Sequence, residues 1–227
     1  MCMKKIVVYP VSRDYYNNAI PAIKSLLING NIDEVCIMTE SAGMHLPLPE
    51  NVHAIDVSRQ PWFCWGGPNY RNQYSYLCLV RVALAKLFPD AGKILSLDAD
   101  TIVLKDLSDL WDLDLNDYYL AGVPEEKLSY TLNRPYINMG MALFNLDKIR
   151  ADQLDDQMID DLNLHYYQWV EQDCINANCY PKILTLGSEY NASQFSAPCD
   201  DPKILHFAYT PGWQDKEIVQ FYKNQKW

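Results

Sequence analysis

The feature of this sequence that most constrains its fold is the alternation of short apolar runs with stretches of helical periodicity. The run IVVY at 6–9 has the character of a buried strand, and apolar residues at helical spacing follow it at 19–27. A second strand is predicted at 35–38, and a weaker third one at 52–57. Alternation of this kind is typical of an α/β protein.

The rest of the chain continues the same pattern. An apolar stripe at 77–87 predicts a helix that stops near Pro89, and the run KILSL at 93–97 predicts the next strand. Further apolar runs that could complete a mixed sheet occur at 118–123, 139–146, 182–186 and 203–207. Since no repeat, low-complexity tract or linker divides the chain, we expect a single domain over residues 1–227.

Residues 58–74 break the alternation. This segment mixes aromatic residues with Gly, Pro and Arg and shows no period, which predicts a loop. A long aromatic loop inside a compact domain is often functional.

Composition excludes several classes of protein. The apolar fraction of 49% is sufficient for a core, and 29 acidic against 19 basic side chains give a net charge of −10. Because neutralising phosphates requires a basic surface, we expect no nucleic-acid partner. The seven cysteines show no zinc spacing and are interpreted as reduced thiols. Neither a signal sequence nor a membrane-spanning segment is recognisable, so the expected location is cytoplasmic.

Two aspartates follow the strand at 93–97. Asp98 and Asp100 lie where an open α/β sheet binds its ligands, at the carboxyl end of a strand. Mg²⁺ and Mn²⁺ prefer carboxylate oxygens and often bridge them to substrate phosphates. A solvated turn with a capping aspartate is the alternative. Arg81 could meet phosphate charge, although a side chain extended from the apolar stripe to solvent explains its position equally well.

The segment LVRVALAKLFPDAGKILSLDADTIVLKDLSDLW resembles the centre of glycosyltransferase family 8, the group of glycogenin and the bacterial lipooligosaccharide galactosyltransferases. Four further segments resemble family motifs in the expected order, at 12–27, 136–149, 171–176 and 204–213. The resemblance covers nearly the whole chain, except that the 58–74 loop has no clear counterpart.

This resemblance implies a GT-A fold, which is a Rossmann-like nucleotide-diphospho-sugar transferase fold with a mixed, mostly parallel central sheet. It implies transfer of a hexose, glucose or galactose, from a UDP-sugar to a hydroxyl of a glycan or other acceptor, with retention of anomeric configuration. The implied cofactor is Mn²⁺, with Mg²⁺ as an alternative.

The resemblance also assigns roles to individual residues. The metal ligands would be Asp98, Asp100 and His206. The donor-binding residues would be Val11, Ser12, Tyr15, Arg81, Asp98, Ala99, Asp100, Asn138, Gly140 and Gly212. Among these, Tyr15 would lie against uracil, while Asn138 and Gly140 would meet the donor sugar. Without the resemblance, ordinary packing would explain most of these residues.

Glu171 and Gln172 match the pair beside the reacting carbon. Glu171 stands where aspartate is usual, and Gln172, an amide, is a poor nucleophile. We therefore expect a front-face route, in which the leaving phosphate takes the proton of the acceptor hydroxyl.

Two departures concern the donor. The closing motif at 206–213 lacks the lysine that holds the donor phosphates in the family, although Lys216 follows nearby. Ser12 replaces the usual Asp or Asn.

Other functions stay open. A non-catalytic nucleotide-sugar binding module on the same fold is the main alternative, because of Glu171 and the missing lysine. A sugar-1-phosphate nucleotidyltransferase is less favoured, since no Gly-rich loop follows the first strand. The aromatic loop, with Trp62, Trp65 and Tyr70, could stack on acceptor sugars, act as an apolar lid or form a homodimer contact; sugar contact is slightly favoured.

Overall fold

A computed structural model describes residues 4–40 and 48–227 of the chain. The described residues form the strands β1 (Ile6–Pro10), β2 (Glu34–Thr39), β3 (Val52–Asp56), β4 (Lys93–Leu97), β5 (Thr101–Val103), β6 (Leu120–Pro124), β7 (Ile137–Asn145), β8 (Ile183–Thr185) and β9 (Ile204–His206). The helices are α1 (Tyr16–Asn29), α2 (Leu84–Leu87), α3 (Glu126–Leu132), α4 (Leu146–Ala151), α5 (Leu154–Leu164), α6 (Val170–Cys179) and α7 (Glu217–Lys223).

The central sheet has the strand order β3-β2-β1-β4-β7-β6-β8. Strands β3, β2, β1 and β4 run parallel to one another, β7 is antiparallel to both β4 and β6, and β8 is parallel to β6. The predicted mixed, mostly parallel sheet is therefore confirmed. Because β7 is antiparallel to its two neighbours, its beginning lies at the same edge of the sheet as the ends of β4 and β6.

Both faces of the sheet are buried at its central strands β2, β1, β4 and β7, which explains why these strands are nearly continuous apolar runs. Val8, Ile94 and Phe144 point to one face, where the segment 76–87 and helices α4, α5 and α6 pack. Val7 and Leu95 point to the opposite face, which the apolar stripe of α1 covers. The alternation along β1 and β4 follows from the two-residue period of a strand.

The structure corrects the sequence analysis at three places. The apolar run at 203–207 was expected to join the main sheet, but β9 forms a separate two-stranded antiparallel sheet with β5, a short strand that the sequence analysis did not predict. The stripe at 77–87 is mostly a 3-10 helix, Tyr76–Ala83, followed by the short α2. Helices α3 to α7 were not predicted.

The pairing of β5 with β9 has a direct consequence for function. Its register places Thr101 opposite His206, and the backbone N–H of Phe207 donates to the carbonyl of Asp100 at 3.0 Å. Two segments that are about a hundred residues apart in sequence are thus held side by side.

In the described part of the chain, no helix is long and apolar enough to cross a membrane.

Candidate active site

The two aspartates occupy a tightly bonded turn between β4 and β5. The N–H of Asp98 donates to the carbonyl of Gly140 in β7 at 2.9 Å, and the Thr101 hydroxyl donates to the Asp98 carbonyl at 2.7 Å. Asp100 is fixed by Phe207, as described above. The positions of both carboxylates are therefore set by backbone contacts to strands on either side.

His206 completes a set of candidate metal ligands. Its Nε2 lies 3.3 Å from Oδ1 of Asp100 and 3.7 Å from Oδ2 of Asp98, and the ligand atoms of the three residues all lie within 4.8 Å of one another. The imidazole is only 5% exposed. Two carboxylates and one imidazole form a donor set that suits Mn²⁺, and a smaller hard cation such as Mg²⁺ through the carboxylates. The residues present therefore fit a divalent cation.

Gly140 makes room for this histidine. A Cβ built on Gly140 would overlap the ring of His206, so any other residue would force the imidazole to move. The candidate metal site therefore requires glycine at position 140 for steric reasons. This requirement is separate from the predicted contact of Gly140 with the donor sugar.

The charges of the ligand set depend on one another. Burial alone would lower the pKa of His206, but the Asp100 and Asp98 carboxylates raise it above its ordinary value. Burial would likewise raise the pKa of Asp100, and the His206 imidazolium brings it below the usual range. Within the described chain, the buried Nδ1 of His206 has no hydrogen-bond partner. A cation facing Nε2 would replace the proton that the two carboxylates now favour.

Arg81 is buried, with 4% of its surface exposed, and its guanidinium connects three neighbours. Nε donates to the Ser96 hydroxyl at 3.1 Å, one terminal nitrogen donates to Glu171 at 2.9 Å, and the other contacts Asp98. Burial would lower the pKa of Arg81, but Asp98 and Glu171 raise it well above its usual value. The guanidinium is thus engaged by protein carboxylates and does not extend to solvent.

Glu171 is a buried residue at the start of α6, not part of a helix surface. Burial raises the pKa of its carboxyl above the ordinary value, and the neighbouring Arg81 offsets only part of that rise. The carboxylate is therefore held close to Asp98 through a shared arginine.

Gln172 and Asn138 belong to a network of amides centred on Glu125. One carboxylate oxygen of Glu125 accepts from Asn138 Nδ2 at 2.8 Å and from Gln172 Nε2 at 3.1 Å. The carbonyl ends of the two amides accept backbone N–H groups, Gln172 from Met139 at 2.9 Å and Asn138 from Gly140 at 3.0 Å. Both amides are thereby held in one orientation.

Glu125 was missed by the sequence analysis. A signal was present, because Glu125 directly follows β6, whose carboxyl end lies at the same edge of the sheet as that of β4. An acidic residue after a predicted strand indicates a site residue for the same reason as Asp98 does.

The remaining predicted donor residues are placed less uniformly. Burial raises the pKa of the Tyr15 phenol, and the nearby Asp100 carboxylate raises it further. Val11 is buried at the end of β1, where its N–H donates to Met38, and Ala99 is buried between the aspartates. Gly212 is exposed with a left-handed φ of 66°, and no described hydrogen bond joins it to the carboxylates.

The aromatic loop forms one wall of a cleft of about 450 Å³ beside these groups. The cleft is lined by Ser12, Asp14, Glu40, Trp65, Tyr70, Arg71, Tyr74, Ser75 and Tyr76. Tyr70 stacks on Tyr76 with ring centroids 4.8 Å apart, and the tilted ring of Trp65 lies 5.5 Å from that of Tyr70. Trp62 instead packs against the core.

A pair of tyrosines joins the aromatic loop to the segment that follows His206. The hydroxyl of Tyr74, at the end of the aromatic loop, is hydrogen-bonded to that of Tyr209, three residues after His206. The ring of Tyr209 makes edge contacts with Trp169 and Phe195, at 6.2 and 6.0 Å between centroids. This contact was not predictable from sequence patterns, because it joins two loops that are 135 residues apart.

The fold is that of the GT-A glycosyltransferases. Two solved structures share the fold: the glycosyltransferase GlyE of Streptococcus pneumoniae TIGR4, at a TM-score of 0.73 and 21% identity over 99% of this chain and 61% of that one, and the galactosyltransferase LgtC in complex with donor and acceptor sugar analogues, at a TM-score of 0.69 and 19% identity over 96% and 95%.

The family model of glycosyl transferase family 8 matches residues 6–208, and the chain belongs to that family. The resemblance found in the sequence, and the GT-A fold that it implied, are both confirmed. The chain is therefore a glycosyltransferase-family protein, and the geometry above is its candidate active site.

Three curated proteins are similar to this chain over part of its length. General stress protein A of Bacillus subtilis is 24% identical over 56% of this chain and 55% of its own length. Glycosyltransferase GlyA of Streptococcus pneumoniae serotype 4 is 27% identical over 70% of this chain and 25% of its own length. The similarity to a putative glycosyltransferase of Haemophilus influenzae extends over 42% of the length of that protein. The chain thus spans about half or less of the length of these relatives.

Proposed function

We propose that residues 1–227 act as a single GT-A domain that transfers a hexose from a UDP-sugar to a hydroxyl of a carbohydrate or glycoconjugate, with retention of anomeric configuration. Glucose and galactose are the expected sugars. The observation that carries this proposal is the convergence of Asp98, Asp100 and His206 beside Arg81 and Glu171 at the carboxyl end of β4. Such an arrangement suits a metal-bound diphosphate.

In this proposal Asp98, Asp100 and His206 hold Mn²⁺, or alternatively Mg²⁺. When bound, the cation supplies a Lewis acid that stabilises negative charge on the departing phosphate, which is a contribution of several kcal/mol. Arg81 keeps the Asp98 and Glu171 carboxylates in place, because its guanidinium bonds to both. Its role is thus to position the acidic groups, whose negative charge it offsets.

The amide network supports a front-face reaction. The Gln172 carbonyl oxygen already accepts the Met139 N–H, and an amide is barely basic, so Gln172 is unsuited to attack the anomeric carbon. We infer that the acceptor oxygen bonds to the anomeric carbon on the face from which the phosphate leaves. The bond from that carbon to the phosphate oxygen breaks, and the phosphate takes the acceptor proton. Gln172 and Asn138 orient the sugar.

Donor recognition is assigned to the turn after β1. Tyr15 supports the uracil, while Val11, Ser12, Ala99 and Gly212 contact the nucleotide. The exposed ring of Trp65, 68% of whose surface is accessible, offers an apolar face for an acceptor sugar. The six cysteines in the described chain are all free thiols, which supports a location in the reducing cytoplasm.

Ligand-dependent melting tests the donor class. UDP with Mn²⁺ is expected to raise the melting temperature more than GDP, CMP or dTDP, since a ligand that binds only the folded state stabilises it. A preference for GDP or CMP contradicts the donor assignment. Repeating the panel with UDP-glucose, UDP-galactose and their N-acetyl forms identifies the sugar, and NMR of the product checks that the anomeric configuration is retained.

A nucleotide-sugar binding module is the second candidate. One observation favours it: the carboxylate of Glu171 is neutralised by Arg81 in a buried ion pair, so it is not free to assist a reaction. Release of free UDP from a UDP-sugar separates the two functions. Slow UDP release without acceptor indicates an enzyme, whereas binding without any release, across donors and acceptors, indicates the module.

A further inference from the structure

The acidic and basic groups of the candidate active site are already matched to one another. Arg81 is shared by Asp98 and Glu171, and His206 lies between Asp98 and Asp100. A divalent cation on these ligands balances two carboxylates and leaves little positive charge for a diphosphate, which itself brings several negative charges. The closing segment 206–213 contains no Lys or Arg. If the proposed function is right, a further cation is required.

The cleft beside the site contains one basic side chain. Of its nine lining residues, Arg71 alone is a lysine or arginine. One part of the lining is Ser12, at the turn after β1, and another is Tyr74, whose hydroxyl reaches Tyr209 near His206. The lining of the cleft thus includes a residue of the turn assigned to the nucleotide and a tyrosine that contacts the segment following His206.

The Arg71 side chain is available to bind a ligand, and an aromatic ring fixes its position. Among the described residues it takes part in no ion pair, including none with Asp14 or Glu40 in the same cleft. Its guanidinium lies over the ring of Trp65, 5.1 Å from the centroid. A cation over an aromatic face is held in place without losing its charge, so its hydrogen-bond donors stay free for a ligand.

Further aromatic rings connect Trp65 to a helix of the fold. The ring of Trp65 packs against that of Tyr70, and the ring plane of Tyr70 lies within 4° of that of Tyr76. Tyr76 begins the 3-10 helix that also carries Arg81. A continuous row of rings thus ties Arg71 to the element that delivers the buried arginine of the site.

We propose that Arg71 binds the diphosphate of the nucleotide-sugar donor from the loop side of the cleft, and so supplies the cation that the closing segment lacks. A guanidinium suits this role because its planar donors match phosphate oxygens in pairs. The inference rests on the proposed function and assigns a ligand group to the aromatic loop, namely phosphate.

The test is a titration of the full chain with UDP and with uridine in the presence of Mn²⁺, followed by calorimetry. The variants are Arg71→Gln, which removes the charge, and Arg71→Lys, which keeps it. Arg134→Gln is the matched control, because Arg134 also lies over a ring, that of Tyr180 at 5.0 Å, but outside the cleft. Lys216→Gln tests the lysine that follows the closing segment.

We expect Arg71→Gln to weaken UDP binding by about 10-fold, as for the loss of one hydrogen-bonded charge, while uridine binding is unchanged. Arg71→Lys should lose less, and Arg134→Gln and Lys216→Gln should match wild type. Equal UDP affinity in wild type and Arg71→Gln overturns the inference, as does a loss confined to Lys216→Gln. An equal loss of UDP and uridine also overturns it, since it assigns Arg71 to the base. Wild type that binds no UDP instead refutes the proposed function.

Discussion

Two regions of the molecule meet at the candidate active site, and they are built differently. In the ligand set at the end of β4, His206 is only 5% exposed, the two aspartates are partly buried, and the backbone is bonded to strands on both sides. The aromatic loop is anchored by hydrogen bonds of Asn69 and of Asn163 in α5, while its outer rings stack on one another and Trp65 is 68% exposed. The first region is therefore built around charged groups at strand ends, whereas the second presents aromatic rings to solvent.

The difference suggests a division of labour. Groups that hold a cation and a reacting sugar have to be positioned to a fraction of an ångström, and rigid strand ends provide this. A loop tolerates substitution and motion, and it is where selectivity for substrates is usually found. In a protein built this way, changes at the strand ends should alter stability and metal binding, whereas changes in the loop should alter substrate affinity alone.

Replacement of Arg81 should give the largest effect. Arg81→Met leaves the buried Glu171 carboxylate, and Asp98 beside it, without their shared cation, and breaking a buried ion pair costs about 3–5 kcal/mol. Urea unfolding followed by circular dichroism measures the loss. Lys203→Met, which removes an ion pair with Asp109 at the surface, should cost at most about 1 kcal/mol. Equal losses in the two variants contradict the special status of the buried region.

Asp100→Asn should come next. Asn keeps the shape of the side chain but removes the charge that a hard cation requires, so we expect Mn²⁺ affinity in the presence of UDP to fall by about 100-fold or more with the fold intact. Calorimetric titration of Mn²⁺ measures this. Asp112→Asn, which changes an exposed aspartate outside the ligand set, is the control and should bind as wild type does. If Asp100→Asn and wild type bind Mn²⁺ equally, no metal is held at this site.

The buried region also shows how far sequence reasoning reaches. The strands at 6–9 and 93–97 were predictable because a sheet buried on both faces needs continuous apolar runs, and Asp98 stood out because a carboxylate ended such a run. The family resemblance identified His206 as a candidate metal ligand. Only the structure shows how it comes close to the aspartates, because β9 leaves the main sheet and pairs with β5. Pairing between such short, distant strands leaves no periodic signal.

The loop region was less predictable. Its aromatic composition indicated a functional surface, yet which rings are exposed depends on contacts between distant segments, such as that of Tyr74 with Tyr209. Trp62 and Trp65 look alike in the sequence, and the fold buries one of them against the core while exposing the other. Glu125 was missed for a related reason, since its partners Asn138 and Gln172 come together only in the folded sheet.

Gly140→Ala should have a smaller effect than loss of a ligand. The new methyl group would overlap the His206 ring, and overpacking of this kind costs about 1–3 kcal/mol. Because the imidazole has to move, Mn²⁺ affinity should fall together with stability. Thermal melting with and without Mn²⁺ separates the two effects. Gly66→Ala, which meets open space, is the control and should melt like wild type. An unchanged Mn²⁺-dependent shift in Gly140→Ala would falsify the steric role.

The ligand set should also respond to pH in two opposite directions. The pKa of His206 is raised, so the stability that it contributes to the metal-free protein is fully present below about pH 6.5 and is lost as pH rises through the folded-state value. Mn²⁺ requires the deprotonated ring, so its affinity should fall by about 10-fold per pH unit below that same value. Calorimetry from pH 5.5 to 8.5 measures both, and His206→Gln should remove both dependences.

Trp65→Ala should have the smallest effect on the fold and the most selective effect on binding. The ring is mostly exposed, so we expect a change in unfolding free energy within about 0.5 kcal/mol and no change in Mn²⁺ affinity without nucleotide. UDP affinity should nevertheless fall a few-fold, because Arg71 loses the ring that holds its guanidinium over the cleft. Phe221→Ala, which removes an exposed ring of α7, should leave both affinities unchanged. Should Trp65→Ala weaken Mn²⁺ binding in the absence of nucleotide, the loop and the strand ends would be coupled, and the separation between the two regions would fail.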